Sequence, residues 1–121
     1  MHISPENWGP AFWKTLHVAC LAAASRDELQ QFIDGYKLVI PCGSCRGHFI
    51  QIVDENPLPV LEYFKWSVDV HNLVNDRIGK PRYSYNQALQ ALLDKPTKDY
   101  SIPILLAVMM LLIAFLIFNR K

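Results

Sequence analysis

Two cysteines separated by two residues are the clearest chemical feature of this chain. They lie in the segment Pro41-Cys42-Gly43-Ser44-Cys45, which opens a stretch of helical apolar spacing that runs to Val53. The positive end of a helix and its unpaired N–H groups favour a thiolate, which is the species that attacks a disulfide or binds a metal. The spacing therefore predicts a disulfide that closes and reopens in redox exchange.

Two other interpretations of this motif stay open. Cys42 and Cys45 could form a static structural disulfide, although such a short loop gains little closure entropy. They could instead bind zinc together with His48 and His71, because structural zinc takes four nitrogen or sulfur ligands and CxxC is a common half-site. A second half-site is missing from the sequence. A thioredoxin fold is excluded, because its CxxC belongs to a βαβ context.

A second polar group lies on a helix predicted over about residues 61–78. His71 and Asn75 are four residues apart and so share one face, with Asn72 and Val74 beside them. A lone histidine on a helix is ordinarily a hydrogen-bonded structural residue. Two amides and an imidazole on a helix whose other face is apolar instead predict a binding site for a flat polar ligand.

Three aromatic residues and a glycine near the N-terminus are candidates for the same site. Trp8, Gly9, Trp13 and His17 lie on or just before the first predicted helix. The alternative is that Trp13 and His17, four residues apart, simply pack in the core.

The elements that must position these residues are all predicted to be helices. Apolar residues recur at helical spacing over residues 10–24, 25–40, 42–53 and 61–78, and a short fifth helix is predicted over 88–93. No segment has the sustained alternation and β-branched enrichment of a strand. The predicted fold class is all-α, a four-helix bundle with a short fifth helix.

The last part of the chain has a different composition. Residues 102–118 are apolar throughout, and as a helix they would be about 25 Å long, close to the roughly 30 Å of a bilayer's hydrocarbon core. We therefore predict a head domain over residues 1–98, a linker over 99–101, a transmembrane helix over 102–118 and a short basic tail over 119–121. A span so near the C-terminus is inserted after synthesis, which favours a head in the cytoplasm.

The charge balance excludes one class of partner. The 121 residues include 12 Lys and Arg and 11 Asp and Glu, of which two basic residues and one acidic residue lie beyond residue 98. The head is thus formally neutral. A nucleic-acid-binding domain normally carries a basic excess, so we expect no nucleic-acid partner.

Three segments together resemble a known family. WGPAFWKTLH, PCGSCRGHF and WSVDVHNLVNDRIGK, in this order, resemble the Erv/ALR family of FAD-linked sulfhydryl oxidases, including the small versions of large DNA viruses, over about residues 8–85. The resemblance implies a four-helix bundle that holds FAD, with Cys42 and Cys45 as the redox pair beside the flavin. The FAD contacts that it implies are Gly9, Trp13, His17, Cys45, His48, His71, Asn72, Val74, Asn75 and Lys80.

The sequence departs from this family in two respects. Many relatives have a stapling disulfide where this chain has Val68 and Tyr85, and many carry a second, shuttle dithiol for which no cysteines are present here. The one remaining cysteine, Cys20, is expected to be a buried inert thiol, with a bond across a dimer as the alternative. The resemblance then implies that a separate dithiol protein delivers electrons directly to the CxxC.

The sequence thus predicts a membrane-anchored, FAD-dependent thiol oxidase. The resemblance implies that a thiolate of a thioredoxin-like or other dithiol protein attacks Cys42, that Cys45 passes two electrons to FAD, and that O2 becomes H2O2. The resemblance also implies a homodimer through the first two helices, and the apolar tail implies a host or virion membrane. The alternative function is a zinc-stabilised, membrane-tethered interaction module without catalysis.

Overall fold

A computed structural model of the protein describes residues 3–93 and 101–119. Every regular element in these two ranges is helical, as predicted. A short 3-10 turn over Lys37–Val39 follows the second helix. The α-helices are α1 (Pro5–Ala22), α2 (Arg26–Tyr36), α3 (Gly43–Glu55), α4 (Tyr63–Ile78), α5 (Tyr85–Leu92) and α6 (Ser101–Phe118).

The first helix begins earlier than the predicted residue 10. Proline suits the first position of a helix because its missing N–H would have no partner there, and α1 accordingly starts at Pro5 and carries Pro10 inside its first turns. The hydroxyl of Ser4 hydrogen-bonds the carboxylate of Glu6 and does not cap the helix.

The second helix ends earlier than predicted. Ser25 caps it by accepting a hydrogen bond from the Glu28 N–H at 3.2 Å, but the α-helix stops at Tyr36 and does not continue to Ile40. A residue before proline is pushed out of the helical region, and Ile40, which precedes Pro41, is extended. The chain therefore turns before it enters α3, and this turn brings the CxxC motif to the start of a new helix.

Helices α1 to α4 share one apolar core. Leu16 of α1, Leu29 and Ile33 of α2, Phe49 of α3 and Val70 of α4 are all buried in it. The closest packing is that of α1 against α4, while α3 also packs on α4 and α2 packs on α1. The short α5 lies against α4 and begins with a complete capping box formed by Ser84 and Gln87. The arrangement is the predicted bundle of four helices with a fifth beside it.

The segment that follows α4 is held back against that helix. Gly79 ends α4 in the left-handed conformation, with φ of 70°, and the Lys80 N–H donates to the Asn75 carbonyl at 2.8 Å. The side-chain amide of Asn72 then makes two hydrogen bonds with the backbone of Tyr83, donating to its carbonyl at 2.9 Å and accepting from its N–H at 2.8 Å. The path from α4 to α5 is thereby fixed.

The transmembrane helix predicted over residues 102–118 is not confirmed. The run is helical, as part of α6, but among the described residues we find no helix whose length and apolar character would let it cross a membrane. Ser101, predicted as linker, is the first residue of α6, while residues 94–100, 120 and 121 lie outside the described part of the chain.

Replacing two glycines by alanine should change the free energy of unfolding in opposite directions. We expect Gly79→Ala to lower the free energy of unfolding by about 1 kcal/mol, because alanine is strained at a φ of 70°. We expect Gly47→Ala to raise it by about 0.5 kcal/mol, because this residue is inside α3 and a Cβ there would meet no atom within 4 Å. Urea unfolding followed by circular dichroism measures both, and effects of the same sign would contradict the described conformations.

Candidate functional site

A cavity of about 670 Å³ opens between α1, α3, α4 and α5. It collects all but one of the residues that the sequence predicts as ligand contacts. Those that line it are Gly9, Trp13, His17, Cys45, His48, His71, Val74, Asn75 and Lys80. Asn72 is absent from the lining, because its amide is used in the two hydrogen bonds with Tyr83.

One wall of the cavity is built from stacked rings. The Trp13 ring of α1 lies flat against the His71 ring of α4, with centroids 3.9 Å apart and an angle of 8° between the planes. Phe49 of α3 meets Trp13 edge-on at 5.8 Å. Flat apolar surfaces of this kind bind a planar ring system well.

The disulfide lies where this cavity meets the protein surface. Cys42 and Cys45 are bonded to each other, with Cα atoms 5.2 Å apart. Cys45 lines the cavity, whereas Cys42 is at the N-cap of α3 and is not part of the lining. The Cys45 N–H donates to the Cys42 sulfur at 3.2 Å, as expected for a helix N-terminus. Cys45 is thus a cavity-lining residue, and its disulfide partner Cys42 is not.

Two histidines that line the cavity connect α1 to α4. The Nε2 atom of His17 is 3.1 Å from the Nδ1 atom of His71, and the Nδ1 atom of His17 is 2.8 Å from the hydroxyl of Ser67. Burial lowers the pKa of both histidines to about 4, so neither carries a charge at neutral pH. The sequence analysis missed Ser67, although it is four residues before His71 on the same helix and could have been found from that spacing.

The cavity contains a buried donor without a partner in the described part of the chain. The indole N–H of Trp8, which lines the cavity, has no hydrogen-bond acceptor there. Leaving such a group unsatisfied costs about 1–3 kcal/mol, so an acceptor atom on a ligand would recover that free energy. Trp8 was named as a candidate in the sequence, but its unpaired N–H depends on the fold.

Charged residues at the cavity favour an anion. Lys14, Arg77 and Lys80 line it, together with a single carboxylate, that of Glu6. A flexible polyanionic group on a ligand would therefore find more cations than carboxylates along this lining.

The arrangement required by the zinc interpretation is not found in the described residues. Over residues 3–93 and 101–119, no three His, Cys, Asp or Glu side chains are grouped so that they could hold a metal ion. The sulfurs of Cys42 and Cys45 are bonded to each other and so are not thiolate ligands.

The third cysteine agrees with the expected inert thiol. Cys20 is a free thiol with 4% of its surface exposed. Burial raises its pKa to about 11, with the Ser67 hydroxyl opposing the rise, so Cys20 is not a thiolate at neutral pH.

Comparison with known proteins identifies relatives of this chain. A family model described as the Erv1 / Alr family matches residues 10–94. The chain is 33% identical, in an alignment of 102 residues, to a probable FAD-linked sulfhydryl oxidase of Acanthamoeba polyphaga mimivirus. The match covers 74% of this chain and 71% of that protein. It is 30% identical, in an alignment of 90 residues, to the FAD-linked sulfhydryl oxidase of African swine fever virus. That match covers 67% of this chain and 76% of that protein.

A solved structure agrees with these relatives. The FAD-binding domain of Erv1 from Saccharomyces cerevisiae superimposes with a TM-score of 0.65 at 27% identity, and the match covers 77% of this chain and 100% of that chain. The family model and the mimivirus relative each extend over most of the sequence. The chain therefore belongs to the Erv1 / Alr family.

Proposed function

We propose that this protein is an FAD-linked thiol oxidase that forms disulfides in a substrate protein through Cys42 and Cys45. The observation that carries the proposal is the position of the disulfide: Cys45 lines the cavity and Cys42 does not. A disulfide in this position can receive electrons from a protein at the surface and release them to a group inside the cavity.

The residues of the cavity fit FAD in three independent ways. The stacked rings of Trp13 and His71 offer a flat wall for a planar ring system, the unpaired Trp8 N–H offers a donor, and Lys14, Arg77 and Lys80 suit a pyrophosphate. When bound, FAD supplies a two-electron acceptor that is reoxidised by O2 with production of H2O2.

The dithiol chemistry uses both sulfurs in a fixed order. A substrate thiolate attacks the sulfur of Cys42, which breaks the bond to Cys45 and forms a mixed disulfide between the substrate and Cys42. Cys45 departs as a thiolate. A second substrate thiolate then attacks the substrate sulfur, forms the substrate disulfide and releases Cys42, so that two electrons have moved from the substrate to the cysteine pair.

The start of α3 assists this exchange. Both cysteines are in its first turn, where unpaired N–H groups and the positive end of the helix stabilise a thiolate. The hydrogen bond from the Cys45 N–H would favour the thiolate of Cys42 when it is released. The substrate is proposed to be a thioredoxin-like or other dithiol protein.

Replacement of either redox cysteine tests the order of electron transfer. We expect Cys42→Ser and Cys45→Ser each to reduce the oxidation of a reduced protein dithiol by more than about 100-fold, because exchange requires both sulfurs. Cys20→Ala, which removes a buried thiol outside the cavity, should change the rate by less than about twofold. Oxygen uptake and free-thiol titration measure the rate, and turnover that persists in Cys45→Ser would contradict the route.

Two tryptophans provide a matched test of the FAD site. Trp8→Phe removes the unpaired N–H, so we expect about a tenfold rise in the Kd for FAD and no loss of stability in the FAD-free protein. Trp66→Phe removes an N–H that donates to the Asn56 carbonyl at 2.8 Å, so it should lower stability by about 1–2 kcal/mol and leave the Kd unchanged.

Flavin fluorescence measures the Kd and thermal unfolding measures the stability. An unchanged Kd in Trp8→Phe would show that FAD does not use this donor. A wild-type protein that fails to bind FAD would overturn the proposed function itself.

Two further proposals concern the assembly and its location. A homodimer through α1 and α2 is supported by the exposed side chains of Val18 and Leu21 on α1. Attachment of the protein to a membrane is supported by the apolar side chains of α6, which are exposed from Val108 to Ile113 and from Phe115 to Phe118. The membrane is proposed to be that of a host cell or a virion, with the head on its cytoplasmic side.

Vesicle flotation tests the role of α6. We expect the full chain to float with phosphatidylcholine vesicles, because exposed apolar surface gains free energy on entering lipid. The double variant Leu111→Lys and Phe115→Lys should stay in the dense fraction, since two charges in the hydrocarbon region are costly. Equal flotation of the two proteins would remove α6 as the attachment.

A further inference from the structure

The hydrogen bond between Ser67 and the backbone fixes the direction of its contact with His17. The Ser67 hydroxyl is 2.7 Å from the Phe64 carbonyl, which can only accept, so the single hydroxyl proton is donated there. The Ser67 oxygen is also 2.8 Å from the Nδ1 atom of His17. Since the hydroxyl proton is already used, the His17 Nδ1 must carry the proton of this second hydrogen bond.

The tautomer of His17 determines which nitrogen of His71 carries a proton. A neutral imidazole has one N–H, so the Nε2 atom of His17 is left with a lone pair. The atom facing it at 3.1 Å is the Nδ1 atom of His71, which must therefore be the donor. His71 then carries its proton on Nδ1, and its Nε2 atom becomes a hydrogen-bond acceptor.

The accepting nitrogen belongs to a ring that the fold holds firmly. The His71 ring is stacked on Trp13, and His71 lines the cavity. Within the described residues, no group donates a hydrogen bond to its Nε2 atom. In water, neutral histidine favours the proton on Nε2, so the contacts from Ser67 and His17 select the less common tautomer.

We propose that Ser67 is a positioning residue that fixes the tautomer of His71, through His17, so that the His71 Nε2 atom accepts a hydrogen bond from an N–H or O–H group of the bound cofactor. The identity of that cofactor as FAD rests on the proposed function. FAD has suitable donors in its adenine amino group, its ribityl and ribose hydroxyls and its flavin N–H.

The burial of the pair keeps this arrangement intact at neutral pH. A protonated histidine would donate from both nitrogens and could not accept from the cofactor. With the pKa of each ring lowered to about 4, both histidines stay neutral and the direction of the hydrogen bonds is kept. Ser67 is itself fully buried, so water does not compete for its hydroxyl.

The tautomer can be measured in the full chain without FAD. In protein with 15N-labelled histidine, long-range proton–nitrogen NMR separates a protonated from an unprotonated ring nitrogen. We expect His17 and His71 both to carry the proton on Nδ1, and the His71 Nε2 resonance to move upfield when FAD is added. A proton on the His71 Nε2 in the FAD-free protein would overturn the proposal.

Substitution of Ser67 tests its role in selecting the tautomer. In Ser67→Ala we expect a mixture of tautomers at His17 and His71. The Kd for FAD should rise by the inverse of the fraction of His71 that keeps its proton on Nδ1, which is about fivefold if that fraction is about one fifth. Ser67→Thr keeps the hydroxyl and should restore the wild-type tautomer. Unchanged tautomers and an unchanged Kd in Ser67→Ala would overturn the proposal.

A neighbouring core residue supplies the control for a merely structural effect. Val68 is on the same helix with 1% of its surface exposed and is not part of the cavity lining. Val68→Ala should therefore lower the thermal stability and leave the tautomers and the Kd for FAD unchanged. If the wild-type protein binds no FAD, the proposed function fails, while the tautomer in the FAD-free protein still decides the role assigned to Ser67.

Discussion

The packing of α1 against α4 is the contact on which both the core and the site depend. Leu16 of α1 and Val70 of α4 are fully buried in the shared core, and α1 and α4 make the most extensive contact between helices in the described part of the chain. Across this contact His17 reaches His71, and Trp13 stacks on it. The same interface therefore supplies the most buried part of the core and one wall of the cavity, so the site cannot form before these helices are in place.

Much of this architecture follows from sequence patterns, because the periodicity of apolar residues reports directly on helices. The pattern is less informative about where helices begin and end. The helix α1 starts at Pro5, five residues before the predicted start, because proline suits the first helical position. The helix α2 stops at Tyr36, short of the predicted end, because the chain must leave the helical region before Pro41. Nine of the ten FAD contacts implied by the resemblance to the Erv/ALR family line the cavity. Asn72 was grouped with His71 by proximity in sequence, whereas its amide serves the turn at Tyr83.

The residues that sequence analysis missed owe their importance to tertiary contacts. Ser67 matters because His17, fifty residues earlier, happens to face it. The indole of Trp8 matters because its N–H is buried without an acceptor. Neither fact has a periodic signature. Likewise, nothing in the CxxC spacing indicates that Cys45 lines the cavity and Cys42 does not, since that depends on how α3 packs on α4.

The side of the cavity formed by α5 is stabilised by different interactions from the other sides. An isolated helix of eight residues is not stable in water, so α5 persists through its capping box, its contact with α4 and the preceding turn held by Asn72. Ala88, Ala91 and Leu92 nevertheless line the cavity. This side of the cavity therefore depends on helix capping and on the turn after α4, whereas the sides formed by α1, α3 and α4 depend on the shared apolar core.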